Sequence, residues 1–301
     1  MAQPITFATS KTNKTLRQVA VYVFLSLGAV LMLFPFYWMI SGSFKTYQEI
    51  ITTPIVWIPG TISLVNYQEA LSVAPFIIYL QNTVIVAVAN SILTLLTTIL
   101  AAFAFSQFTF KGRDTIFALL LATLMIPSEL LIITNYSTVV QLGRWNRELR
   151  ETLPFLPQVI GIDTYGALIV PFIASIFYIY LLRQFFNQIP RQLYLAAKVD
   201  GCSDWKYMWT IMVPNSINAL ITIGLFNFIA SWNAYIWPLL VTNNINMRVL
   251  SIGLRYFTGE AGSEYHLLMA AGTFVVMPLL VLYLFTRRFI IAGVARSGIK
   301  G

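Results

Sequence analysis

Six long apolar blocks, at 18–41, 81–108, 115–136, 166–186, 207–241 and 265–290, dominate the chain and leave little room for any other architecture. A helix needs about 20 apolar residues to cross the hydrocarbon core of a bilayer. Inside lipid every backbone N–H and C=O must be satisfied within the segment, which favours helices. The chain therefore reads as an all-α integral membrane protein with six transmembrane helices. Charged residues make up only 10% of it, against about a quarter in soluble domains, which excludes a soluble fold. Pro127 interrupts the third block, Pro214 and Pro238 lie near the ends of the fifth, and Pro278 sits inside the sixth. Such prolines kink membrane helices and are tolerated where neighbours satisfy the freed backbone groups.

The net charge of +8 lies at the ends of the apolar blocks rather than along one face. That pattern orients a membrane protein and argues against a nucleic-acid partner. With the N-terminus inside, the cytoplasmic side holds Lys11, Lys14, Arg17, Lys111, Arg113, Arg183, Arg191, Lys198, Lys206, Arg287, Arg288, Arg296 and Lys300. The outer side holds Lys45, Arg144, Arg147, Arg150, Arg248 and Arg255. This excess places both termini in the cytoplasm. The expected organisation is an N-terminal tail at 1–17, a transmembrane domain at 18–290 and a C-terminal tail at 291–301. The first block, about 24 residues long, exceeds the core of a cleavable signal peptide, and no small-residue cleavage site follows it. The connections at 42–80, 137–165 and 242–264 read as long outer loops.

Cys202 is the single cysteine and His266 the single histidine. An internal disulfide is excluded, and no ligand set for zinc, haem or an iron–sulfur cluster is expected. The chain lacks a G-x-x-x-x-G-K-[ST] sequence, so it is expected to hold no nucleotide itself. A membrane-embedded enzyme would need a nucleophile with a base, or a metal cluster. An ion-coupled secondary transporter, the main alternative, would show an internal repeat and buried coupling carboxylates. Of these the sequence offers only Glu129.

One connection stands apart. Between the fourth and fifth blocks runs LAAKVDGCSDWKYMW, 195–209. Good helix formers at 192–198 lead to Asp200-Gly201, a helix-ending pair, and then to Trp205, Tyr207, Met208 and Trp209. A short interfacial helix at about 191–204 followed by a sharp turn suits docking of a soluble partner. It equally suits an anchor for the fifth span, with aromatics at the membrane surface.

This stretch resembles the coupling motif of bacterial ABC importer permeases, in which Glu-Ala-Ala is followed three residues on by Asp-Gly and an aromatic run to a proline. Here it reads Leu195-Ala196-Ala197-Lys198-Val199-Asp200-Gly201 and closes at Pro214. Further pieces resemble the maltose-type second permease of the carbohydrate branch: SGSFK at 41–45, FTFKGR at 108–113, LLRQFFNQIP at 181–190, SWNAYIWPL at 231–239 and SGIKG at 297–301. They fall in the family's order over nearly the whole chain. Two positions depart from the pattern: Leu195 stands where the family has Glu, and Cys202 follows Asp-Gly. Docking here is therefore expected to lean on shape, on Asp200 and on the nearby Lys198, Arg191 or Lys206.

The resemblance implies a type I ABC importer permease fold in the bacterial inner membrane. It also implies a heterodimer with a sister permease, two cytoplasmic ATP-binding cassette ATPases that carry ATP and Mg, and an extracytoplasmic solute-binding protein that delivers a sugar or oligosaccharide. No cofactor is expected on this chain. The ATPase-coupling candidates are Leu195, Ala196, Ala197, Lys198, Asp200, Gly201 and Trp205, with Lys300 and Gly301 as tail contacts.

Candidates for the substrate path come from polar residues inside apolar blocks. Glu129 is costly at membrane depth and marks a functional hypothesis. Asn227 and Ser231 share a helix face four residues apart, and Trp232, Asn233 and Tyr235 follow, with Asn90 on the second block. Asn and Ser hydrogen-bond sugar hydroxyls and aromatic rings stack on sugar faces; the same side chains also tie helices together in membranes.

Overall fold

The structure is a computed structural model and describes residues 11–155, 157–259 and 262–297. In chain order its helices are α1 (Lys11–Ser43), α2 (Tyr47–Ile51), α3 (Val65–Val73), α4 (Phe76–Gln107), α5 (Arg113–Ala122), α6 (Ile132–Thr152), α7 (Tyr165–Ile169) and α8 (Ile176–Asn187). They continue as α9 (Arg191–Val199), α10 (Asp204–Tyr207), α11 (Val213–Asn215), α12 (Ile217–Trp232), α13 (Ile236–Val241), α14 (Leu250–Gly253) and α15 (Tyr265–Ser297). A two-residue antiparallel ladder, β1 (Thr258–Gly259) with β2 (Gly262–Ser263), precedes α15.

By length and composition, α4 and the stretches Arg17–Ser43 and Tyr265–Arg287 can each cross a membrane. Three bent pairs add to them: Arg113–Met125 with Ser128–Thr152, Tyr165–Phe172 with Ile176–Asn187, and Asp204–Asn215 with Ile217–Trp232, at 92°, 48° and 81°. The described residues thus hold three spans, or six if each bent pair is one. Pro127 sits at the first break, as its missing N–H dictates. The stretch 137–152, expected as loop, is helix: α6 continues to Thr152. Helix also reaches into both expected tails, since α1 starts at Lys11 and α15 ends at Ser297.

The chain forms two compact units, one of residues up to Ser72 with Phe257–Phe274, the other of Val73–Tyr256 with residues from Val275 on. In the first unit α1 and the start of α15 cross at two glycines: Gly42 lies against Met269 and Gly272 against Met39. Small residues let membrane helices approach closely. The SGSFK segment then closes α1. Lys45 is buried, donates to the Val56 carbonyl at 2.6 Å and lies 4.3 Å from the Trp38 ring centre. Asn66 Nδ2 donates to the carbonyls of Ser43 and Lys45 at 2.9 and 2.8 Å. The bond to the Ser43 carbonyl satisfies one of those that the end of α1 leaves orphaned.

The second unit is built on α4. Its buried residues Asn82, Val86, Asn90, Thr94, Thr98 and Ala102 recur every four positions and form one small, polar ridge. Along it Asn82 bonds the Asn246 and Arg248 carbonyls, Asn90 bonds Ser231 of α12 and Thr94 bonds the Phe172 carbonyl, and hydroxyl groups such as Thr83 and Ser91 bond back to the carbonyls four residues earlier. At one end Ile99, Phe103, Leu182, Phe186, Ala197, Tyr207, Met208 and Ile223 form a common core. At the other, Val86, Val139, Leu168, Trp237 and Val241 form a smaller one.

Candidate functional site

Pro190 precedes α9, and the helix closes at Val199 rather than running on to 204. It ends in a Schellman motif. Cys202 N–H bonds the Ala197 carbonyl at 2.8 Å, Gly201 N–H bonds the Lys198 carbonyl at 3.1 Å, and Gly201 has φ +71°. Glycine takes this left-handed conformation without strain. Ser203 then caps α10 by accepting the Lys206 N–H. Two helix-boundary devices, back to back within 200–203, make the sharp turn.

Across that turn Lys198 Nζ pairs with Asp204 Oδ1 at 2.8 Å, and Tyr194 donates its phenol to the same oxygen at 2.8 Å. The two motif alanines part company. Ala197 is buried among Phe186, Tyr207 and Met208, while Ala196 is exposed. Leu195 and Val199, 55% and 88% exposed, share Ala196's side of the helix, one turn apart. Lys198, Asp200 and Gly201 are exposed too. Trp205 is 62% exposed and stands edge-on to Trp209, centroids 5.8 Å apart. The result is an unpartnered apolar helix face on a turn whose shape is internally fixed. From α10 the chain passes through a π-turn at Met208–Met212 into α12.

Three of the proposed path residues meet on α4 and α12. Asn90 Nδ2 donates to Ser231 Oγ at 3.1 Å and to the Leu168 carbonyl at 3.5 Å. Both, with Asn227, line a cavity of about 230 Å³ whose wall also includes Thr83, Phe172 and Trp237. Asn90 Oδ1 and Asn227 Nδ2 are buried without a partner, one acceptor and one donor. Buried unpaired amides are uncommon and costly, and a hydroxyl group entering the cavity satisfies both kinds. Thr83 and Trp237 gave no signal in sequence; nothing local marks them as facing Asn90.

The other path candidates lie elsewhere. Trp232 is buried and donates Nε1–H to the Val275 carbonyl at 3.2 Å, so its ring packs the helices together. Asn233 and Tyr235 are exposed beyond the end of α12. Glu129 is exposed in the turn that follows Pro127, with only Ser128 Oγ beside it at 3.3 Å. Lys300 and Gly301 lie outside the described residues.

Residues 94–296 match the sequence model of the family described as "Binding-protein-dependent transport system inner membrane component". The chain is 30% identical over 285 residues to the sn-glycerol-3-phosphate transport system permease protein of Rhizobium meliloti, covering 92% of this chain and 95% of that one. It is 29% identical to the arabinooligosaccharides transport system permease protein of Halalkalibacterium halodurans, covering 91% and 93%. In structure it resembles a chain of a bacterial ABC transporter involved in the import of the acidic polysaccharide alginate. That likeness has TM-score 0.75 and 20% identity and covers 95% of this chain and 99% of that one.

Proposed function

The chain belongs to the binding-protein-dependent transport system inner membrane components, and we propose that it forms half of the translocation path of an ATP-driven sugar or oligosaccharide importer. In this reading it pairs with a different, sister permease among membrane lipids, with both termini in the cytoplasm. An extracytoplasmic binding protein hands over the solute. The chain performs no covalent chemistry; ATP and Mg belong to two partner ATPases, one of which docks on α9.

The observation that carries the reading is the split of α9 into an exposed face of Leu195, Ala196 and Val199 and a buried anchor at Ala197. An ATPase that grips the exposed face pulls on Ala197, and Ala197 packs with Phe186, Tyr207, Met208 and, through the same core, Ile223 of α12. The helix α12 also carries Asn227 and Ser231 at the cavity. Movement of α9 is thereby passed to the solute path. The relatives named for glycerol 3-phosphate and arabino-oligosaccharides support a hydroxyl-bearing solute, as do the unpaired amides of Asn90 and Asn227.

The test is ATPase activity of the complex that co-purifies with this chain, with and without solute-loaded binding protein, for wild type, Asp200→Arg and Ala196→Leu. Stimulation by loaded binding protein that either substitution abolishes is the expected result. A chain that purifies without an ATPase and moves solute on an ion gradient would overturn the reading in favour of a secondary transporter.

A further inference from the structure

The segment between α13 and α14 is held at two points. Asp163, itself at φ +61°, accepts the N–H groups of Asn243 and Asn244 on Oδ1, both at 2.7 Å. Asn82 Nδ2 donates to the carbonyls of Asn246 and Arg248 at 2.8 and 2.9 Å, while Asn82 Oδ1 accepts the Tyr165 phenol at 2.6 Å. The backbone at Arg248 is therefore fixed, and so is the direction in which its side chain leaves.

That side chain lines a cavity of about 310 Å³ together with Leu239, Ile252, Arg255 and Tyr256. Arg248 Nη1 donates to Tyr256 Oη at 2.7 Å, and Tyr256 Oη lies 3.4 Å from Tyr79 Oη. Arg248 Nε is buried and has no partner. Arg248 makes no ion pair among the described residues. A buried N–H left over is costly until an acceptor completes it, and next to the guanidinium's charge an anionic acceptor is favoured. Its planar fork matches a carboxylate or phosphate.

We propose that Arg248, oriented by Tyr256, is the centre of a binding site for the carboxylate or phosphate group of a small soluble solute, in a cavity that Arg255 also lines. The inference rests on the importer reading only in giving the site a place, at the outer end of the path. It adds that the permease itself recognises a charged group, separately from the hydroxyl-satisfying cavity at Asn90 and Asn227.

The experiment uses the co-purified complex in phosphatidylcholine nanodiscs without binding protein. Equilibrium dialysis measures retention of radiolabelled glucuronate and glucose, with inorganic phosphate as competitor. Retention of glucuronate over glucose, displaced by phosphate and weakened at least about tenfold by Arg248→Gln, is expected, with Arg248→Lys in between. Tyr256→Phe, which keeps the charge, weakens glucuronate binding by a smaller factor and covers the case in which Arg248→Gln does not assemble. Equal retention of the two sugars, or glucuronate binding unchanged in Arg248→Gln and Tyr256→Phe, overturns the proposal. So does a site that takes no glucuronate but whose loss destabilises the complex only in phosphatidylglycerol nanodiscs, which would make it a lipid headgroup site. Stimulation of ATPase by loaded binding protein, measured on the same preparation, separates the outcomes: its presence with no glucuronate preference sinks the anion site alone, and its absence in wild type sinks the importer reading.

Discussion

Lys198 and Asp204 face each other across the turn between α9 and α10, Nζ to Oδ1 2.8 Å, with the Tyr194 phenol on the same carboxylate oxygen. A lysine that the sequence offers to a docking partner is thus already engaged within its own chain. Both groups are more than a third exposed, so solvent screens the pair and it adds little to stability. Its consequence is the angle between two helices rather than their stability. Lys198→Ala is expected to leave the melting temperature of the complex within a few degrees and to retain most of the ATPase stimulation. Loss of stimulation as complete as that of Asp200→Arg would instead place Lys198 in the docking contact.

Gly201 sets the end of α9 by its positive φ, and no atom lies within 4 Å of where a Cβ would stand. The cost of a side chain there is therefore conformational and not steric. Gly201→Ala is expected to destabilise the turn by about 1–2 kcal/mol. Gly201→Asn should cost less, because Asn tolerates the left-handed region. Hydrogen exchange at the amides of Gly201 and Cys202, which close the Schellman motif, reports the difference. Equal effects of Ala and Asn would mean that the backbone conformation is not what Gly201 supplies.

Ala196 and Ala197 look alike in sequence but are predicted to fail in different ways. Ala197→Leu overpacks the core around Phe186 and Tyr207 and should cost about 1–3 kcal/mol, lowering thermal stability of the chain. Ala196→Leu projects into open space, so the chain should remain as stable while the co-purified ATPase is lost. Thermal unfolding and ATPase recovery on the two variants form a crossed pair. Stability loss in Ala196→Leu with no loss in Ala197→Leu would invert the assignment of the two faces.

Much of this fold is visible in sequence because it is written locally. The apolar blocks, the helix start after Pro190, the stop at Asp200-Gly201 and the interruption at Pro127 each follow from neighbours in the chain. The break between Phe172 and Ile176 does not. Its freed carbonyls are satisfied by Thr94 and Thr97 of α4, with Thr94 Oγ1 3.0 Å from the Phe172 oxygen, and no local pattern announces a partner nearly 80 residues away. The same holds for the cavity: Asn90 and Ser231 were both candidates, but their meeting is tertiary. Trp232 shows the same limit, since an aromatic ring on a polar-marked helix reads alike in sequence whatever it faces, and only the structure places its Nε1–H on the Val275 carbonyl.

Glu49 gives a prediction in pH. In the connection after α1 it completes a capping box with Thr46, and its other oxygen accepts the Gly60 N–H at 3.0 Å. The backbone donors of Thr46 and then Gly60 hold its carboxyl below the usual range. A depressed carboxylate stabilises the fold above its ordinary pKa and loses that contribution as pH falls through the lower folded value. The amides of Thr46 and Gly60, corrected for intrinsic exchange, should therefore keep their protection from pH 7 down to about the ordinary glutamate value of ~4.3 and lose it below. In Glu49→Ala protection should be low throughout that range. Protection of the wild-type amides that does not change with pH would show that the carboxylate does not hold the loop.

Arg183 of α8 reaches the end of α4 and the start of α5, and its three contacts are unequal. Nε donates to the Phe105 carbonyl at 3.0 Å, the guanidinium carbon lies 4.0 Å from the Phe117 ring centre, and Nη2 reaches Asp114 at 3.3 Å. Asp114 is 73% exposed while Arg183 is only 15% exposed. The ion pair is therefore screened by solvent and contributes little. The charge-assisted bond to the end of α4, about 1.5–3 kcal/mol, and the ring contact, about 0.5–2 kcal/mol, are sheltered. Arg183→Ala should consequently destabilise the chain by about 2–4 kcal/mol, and Asp114→Asn far less. Arg183→Lys keeps the charge but loses the planar fork, and should fall near the alanine variant. Denaturation of the three variants in one detergent ranks them; if Asp114→Asn costs as much as Arg183→Ala, the ion pair and not the Phe105 carbonyl is what fastens α8 to the end of α4.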